Sequence, residues 1–136
     1  MDREELKSFL PHREPMLLVD EVHLEDEQNA VGTYTLRGDE FFVQGHFPGN
    51  PILPGVIQCE MAAQTCAVLF AERLKGKLPL FAGMNNVKFK RPIKPGDRIT
   101  FKCALQRIVG AFFFTKGSAY VDGTLCMSGD FSFALI

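Results

Sequence analysis

Residues 54–76 decide the fold: Pro54-Gly55-Val56-Ile57-Gln58-Cys59-Glu60-Met61-Ala62-Ala63-Gln64-Thr65-Cys66-Ala67-Val68-Leu69-Phe70-Ala71-Glu72-Arg73-Leu74-Lys75-Gly76. Pro54 suits the first turn of a helix, and Gly76 suits its end. The spacing predicts one helix over 55–74, ~30 Å long at 1.5 Å per residue. Apolar residues cover nearly its whole circumference, and a helix that is apolar all round must be wrapped by other elements. Gln58, Glu60, Gln64 and Thr65 are the main polar interruptions in its first half.

The wrapping is expected from strands. Met16–Val22 and Ala30–Leu36 read as two strands around the polar turn Glu25-Asp26-Glu27-Gln28-Asn29. After the helix, Val87 and Phe89 alternate with lysines, and Ile99, Phe101, Cys103 and Leu105 share a face. Phe112 and Phe114 alternate less cleanly, whereas Phe131, Phe133 and Leu135 alternate well. Gly110 and Asp122-Gly123 supply hairpin turns. Asp2 to Phe9 reads as a short helix, capped by Asp2 with Glu5 three residues on and stopped by Pro11. The expected architecture is α+β: two strands, one buried helix, then four strands forming a curved antiparallel sheet around it.

A chain of 136 residues suits one domain, taken as 1–136. A net charge of −1 argues against general nucleic-acid binding. No apolar run reaches the ~18 residues that span a membrane. The acidic start Met1-Asp2-Arg3-Glu4-Glu5 does not read as a secretory signal, so a cytoplasmic location is expected. Cys59, Cys66, Cys103 and Cys126 form no C-x-x-C pair and sit among apolar neighbours, as reduced structural thiols do. His12, His23 and His46 lack ligand-like spacing, so no metal is expected. Charge is uneven: residues 1–40 carry 11 acids and 4 bases, residues 41–136 carry 5 acids and 11 bases. The densest basic stretch, Lys88, Lys90, Arg91, Lys94, Arg98 and Lys102, reads as a solvated strand face or as a docking patch for an acidic partner.

The chemistry gathers just before and within the helix. Pro48, Pro51 and Pro54 recur every third residue and stiffen a loop that carries His46. Glu60 lies in the second turn of the buried helix, where lost hydration favours the neutral acid. Gln64, four residues on, lies on the same face and within reach of a hydrogen bond. The first N–H groups of the helix, at Gly55, are unpaired and lie at the positive end of its dipole. Base, acid and oxyanion donor therefore fall between residues 46 and 60. The plainer alternatives are a turn histidine satisfied by backbone, and a Glu60 that caps a backbone group or pairs with a surface cation.

The stretch Gly45-His46-Phe47-Pro48-Gly49-Asn50-Pro51-Ile52-Leu53-Pro54-Gly55-Val56, followed by Glu60, resembles the active-site signature of the 3-hydroxyacyl-(acyl-carrier-protein) dehydratases, the FabZ type of the hotdog-fold superfamily. Leu10-Pro11-His12-Arg13-Glu14-Pro15-Met16-Leu17-Leu18-Val19-Asp20 looks like that family's N-terminal signature. Ala82-Gly83-Met84-Asn85-Asn86-Val87-Lys88-Phe89-Lys90-Arg91-Pro92 and Pro95-Gly96-Asp97 look like its third block.

The resemblance implies a hotdog fold, with helix 55–74 as the sausage and the sheet as the bun. It implies that His46 is the catalytic base and Glu60 the catalytic acid. Gly55 and Val56 would offer N–H groups to a thioester carbonyl, and Phe47, Gln64 and Gly83 would contact substrate. The implied reaction is reversible loss of water from a (3R)-3-hydroxyacyl thioester on acyl carrier protein, without metal or other cofactor. Family members pair as homodimers, several as trimers of dimers, with the histidine of one subunit meeting the acid of the other.

The resemblance also strengthens the basic stretch as a carrier-protein site. Glu60, where the related dehydratase/isomerases carry Asp, favours plain dehydration. Three departures stand out: Met61 where Ala is usual, which bears on chain-length preference; Glu14 where an aromatic is common; and Asn85-Asn86 in place of a charged pair. The competing readings are a hotdog acyl-CoA thioesterase and a non-catalytic acyl-binding subunit.

Overall fold

A computed structural model describes residues 1–45, 49–74 and 76–136. Six strands form one sheet: β1 (Glu21–Leu24), β2 (Asn29–Thr35), β3 (Pro79–Phe89), β4 (Arg98–Val109), β5 (Phe112–Val121) and β6 (Thr124–Leu135). Their order across the sheet is β1-β2-β4-β5-β6-β3, and every pairing is antiparallel. Register shifts interrupt β3–β6 twice, and β4–β5 and β5–β6 once each. Each such irregularity adds local twist, which lets the sheet curve around a helix. Asp122 and Gly123 both take positive φ (50° and 76°), as a two-residue hairpin between β5 and β6 requires.

The central helix α3 runs Gly55–Ala67, with Pro54 at its N-cap, and continues as a 3-10 segment Val68–Leu74. The helical span is the expected one, but only its first thirteen residues are α-helical. Phe70 departs from helical geometry (φ −122°, ψ 26°) where its ring stacks on Phe113 at 4.5 Å and lies 5.5 Å from Phe133. Aromatic pairs of this kind are worth about 0.5–1.5 kcal/mol beyond their burial, enough to favour the tighter winding of the last turns.

Nine of the thirteen α3 residues are buried, so the helix is enclosed on nearly every side. It packs on β2, β4 and β5. The approach to β2 is close: a Cβ on Gly32 would collide with the Thr65 side chain. Cys103 Sγ on β4 lies 3.4 Å from Ala62 O. All four cysteines are buried free thiols. Burial pushes Cys59 up to about 11 and raises Cys103 well above the ordinary thiol value.

Three sequence expectations change. Met16–Asp20 is not strand, and β1 begins only at Glu21. The backbone of that segment instead pairs with a side chain: Leu18 N–H donates to Gln64 Oε1 and Met16 O accepts from Gln64 Nε2, both at 2.8 Å. Second, the uneven alternation of Phe112 and Phe114 centres on Phe113, which β5 buries while Phe112 is exposed. Third, the N-terminal helix α1 is the single turn Arg3–Leu6, although the Asp2/Glu5 capping box forms as expected. A further single turn, α2 (Phe41–Gln44), precedes the proline-rich loop.

Two departures from the family pattern are accommodated locally. Glu14 is exposed and pairs with Arg3 (3.3 Å) and Lys7 (3.1 Å). Asn86 takes a positive φ of 54° within the β3 irregularity, and its side chain donates to Asp130 at 3.0 Å.

Candidate active site

Glu60 is held from its own helix. Gln64 Nε2, one turn on, donates to Glu60 Oε2 at 2.9 Å. The same amide group serves Met16 O and Leu18 N–H, so both of its N–H bonds and its carbonyl are engaged within the chain. Gln64 is 1% exposed. It lines the site, and its polar atoms fix the acid and the N-terminal segment together.

His12 also reaches Glu60. Its Nε2 lies 3.5 Å from the same Oε2, and both side chains are about one-quarter exposed (23% and 24%). His12 Nδ1 is buried without a hydrogen-bond partner among the described residues. Burial pushes His12 below the ordinary histidine value; the Glu60 charge opposes this and Arg13 adds to it. The sequence did contain this residue within Leu10-Pro11-His12-Arg13. Nothing in that local stretch signals its link to a helix some fifty residues away.

His12, Glu60 and Gln64 share one cavity of about 240 Å³. Its other walls include Ala63, Leu80, Phe81 and Phe133, so a polar mouth opens onto an apolar wall. A space of this character suits a thioester with a hydrocarbon tail better than a polar metabolite. Met61 is fully buried in the core and is not one of the walls.

The other expected site residues fall in different places. His46 and Phe47 lie outside the described residues. Gly55 opens α3 one turn before Glu60, and Ile57 and Gln58 are the first residues of the helix to donate to Pro54 O. Phe89 on β3 covers Gly55 closely: a Cβ there would lie 2.7 Å from the ring's Cζ. Val56 is exposed. Gly83 sits on β3 beyond the cavity walls, where its carbonyl accepts from Ser132 Oγ at 3.3 Å.

A buried lock holds the chain just before the proline-rich loop. Glu40 accepts from Tyr34 Oη (2.7 Å), Gly38 N (2.7 Å) and Arg37 N (3.0 Å). Burial alone would raise Glu40, but these donors outweigh it and hold the carboxyl below its usual range. Burial and the facing carboxylate together push Tyr34 well above the ordinary phenol value. Sequence reasoning missed this pair, because a Tyr and a Glu six residues apart carry no motif.

The six basic residues from Lys88 to Lys102 are all exposed. Lys88 and Lys102 converge with Lys116 on a groove of about 420 Å³ on the outer sheet face. Two strands separate Lys88 from Lys102, so these two stand roughly 14 Å apart at ~4.8 Å per strand. No helix among the described residues is long and apolar enough to cross a membrane.

Comparison with known proteins places this arrangement. The model of the ApeI-like family, described as ApeI dehydratase, matches residues 22–130. The chain is 45% identical over 136 residues to the 3-hydroxyacyl-(acyl-carrier-protein) dehydratase FabZ of Clostridium beijerinckii, covering 96% of each. It is 40% identical to the FabZ of Natranaerobius thermophilus, covering 99% of this chain and 97% of the relative. Among solved structures it resembles the dehydratase heterocomplex ApeI:P of Xenorhabdus doucetiae, with TM-score 0.83, 21% identity, and coverage of 96% and 90%. That structural likeness establishes the hotdog fold, and the sequence likeness goes further. With near-complete coverage at this identity, the chain belongs to the FabZ family of 3-hydroxyacyl-(acyl-carrier-protein) dehydratases.

Proposed function

We propose that this chain, as one domain over residues 1–136, is a hydro-lyase of fatty-acid synthesis that interconverts (3R)-3-hydroxyacyl- and trans-2-enoyl-acyl-carrier-protein. The observation that carries the reading is Glu60: an acid clamped by Gln64 at the mouth of an apolar cavity, in a FabZ-family chain. His46 removes the C2 proton, which the neighbouring thioester carbonyl acidifies. The electron pair moves into that carbonyl, and the N–H groups of Gly55 and Val56 receive the developing oxyanion at the helix N-terminus. Glu60 gives its proton to the 3-hydroxyl, which leaves as water as the C2=C3 double bond forms. In this reading Phe47 contacts the acyl group, Gly83 meets the substrate outside the Glu60 cavity, and Gln64 acts on substrate through Glu60.

Two features support a site shared between two copies. β3 pairs only with β6 among the described residues, so its other edge is open. That edge strand exposes Leu80, Phe81, Met84 and Phe89, with Met84 half exposed at 50%. Long apolar edges of this kind are normally covered. Leu80 and Phe81 also wall the Glu60 cavity, so a second β3 laid alongside would close it. These features support a homodimer, which could further assemble as a trimer of dimers. The exposed cations Lys88 and Lys102 suit the acidic carrier protein, and such a partner belongs in the cytoplasm.

The reading is tested with crotonyl-carrier protein as substrate. The wild type should remove the enoyl absorbance as water adds. H46A and E60Q should each cut turnover by about 10²–10⁴-fold, the range of a lost acid or base. Near-normal turnover in E60Q would remove Glu60 from its role, and release of free thiol would favour a thioesterase.

A further inference from the structure

Resting on the dehydratase reading, we infer that His12 is a positioning residue for Glu60: with Gln64 it engages Oε2 and so leaves Oε1 as the oxygen that faces substrate. The two side chains at Oε2 come from different parts of the chain. Gln64 Nε2 reaches Oε2 at 2.9 Å from the same helix, and His12 Nε2 reaches it at 3.5 Å from the N-terminal segment. No hydrogen bond or ion pair falls on Oε1 among the described residues.

The tautomer of His12 follows from its orphaned nitrogen. Nδ1 is buried without a partner among the described residues. A buried N–H left unpaired is rarer and costlier than an under-used lone pair. The ring proton therefore belongs on Nε2, the nitrogen nearer Glu60. The charged groups that act on this ring are Glu60, from α3, and Arg13, its chain neighbour. Burial lowers the ring's basicity, the Glu60 charge opposes this and Arg13 adds to it; a neutral ring with its proton on Nε2 donates without adding a charge.

The 3.5 Å separation is long for a hydrogen bond. As Glu60 gives up its proton it gains charge, and donors to an ionised acceptor bind more closely and about twice as strongly. His12 would thus be worth more in the transition state than with substrate merely bound, which places its effect on kcat.

Two measurements test this. In the first, H12L should lower kcat by 10- to 100-fold with KM within about threefold of wild type. H12Q keeps an amide N–H at comparable reach and should recover most of that loss. Equal loss in H12L and H12Q, or an unchanged kcat in H12L, overturns the assignment. In the second, the His12 ring is titrated by NMR in the intact protein, with or without turnover. Because the Glu60 charge raises His12, E60Q should titrate at lower pH than wild type. An unchanged titration overturns the coupling. A wild-type protein inactive on 3-hydroxyacyl and enoyl thioesters refutes the dehydratase reading instead, and the titration then decides the His12–Glu60 coupling on its own.

Discussion

Replacing Gln64 by Leu removes three hydrogen bonds at nearly constant volume. Leu18 N–H is lost from a buried position, since Leu18 is 2% exposed. Met16 O and Glu60 Oε2 are lost at more open positions, where water can replace the amide. An orphaned buried backbone group costs about 1–3 kcal/mol, and a solvated one much less. The expected destabilisation of Q64L is therefore about 2–3 kcal/mol. At roughly 3–5 °C per kcal/mol for a domain of this size, Tm should fall by about 6–15 °C at fixed protein concentration. Glu60 also loses its 2.9 Å donor, so turnover should fall by at least tenfold in the protein that remains folded. Urea unfolding and crotonyl-carrier-protein hydration measure the two effects on one preparation. A Q64L protein as stable as wild type would refute the claim that this one amide replaces a strand partner for residues 16–18.

Four further outcomes follow from the geometry. G32A should cost about 1–3 kcal/mol by overpacking against Thr65. G32A/T65A should recover part of it, and strictly additive losses in denaturant unfolding would remove the collision as the cause. Tyr34–Glu40 should make stability depend on acid. Glu40 is held below its unfolded value of about 4.3, so its contribution is full above that pH and is lost as pH falls through the lower folded value. E40Q should flatten that part of the Tm–pH curve, and a curve that keeps its acid slope would remove Glu40 as its source. G55A should cut turnover by roughly tenfold or more by driving its new methyl into Phe89, with partial recovery in G55A/F89L; the steady-state kinetics of both variants decide it. Finally, mixing H46A with E60Q should regain up to about one-quarter of wild-type activity, since half the random dimers would each hold one complete site. No recovery after subunit exchange would place both groups in one chain.

The helix was legible because its signals are local: Pro54 and Gly76 bracket a run apolar on every side. The hairpins were legible for the same reason, since Asp122-Gly123 states its backbone geometry in two residues. Met16–Asp20 misled because its apolar residues fit a strand pattern. Only the folded chain shows that a glutamine 46 residues away supplies the pairing. The Phe112-Phe113-Phe114 triplet has no alternation to read, and its inward residue is set by register across β4 and β6. Glu60 and Gln64 were readable as a helical pair. His12 was not, because its relation to Glu60 exists only through the tertiary fold.

The central claim is that this chain moves water across C2 and C3 of a carrier-bound thioester and leaves the thioester whole. Intact-mass analysis of crotonyl-carrier protein after incubation tests that claim most directly. The account predicts a carrier species heavier by one water with its acyl group still attached, formed by wild type and absent with H46A or E60Q. Unmodified crotonyl-carrier protein, or the free thiol carrier, would contradict it.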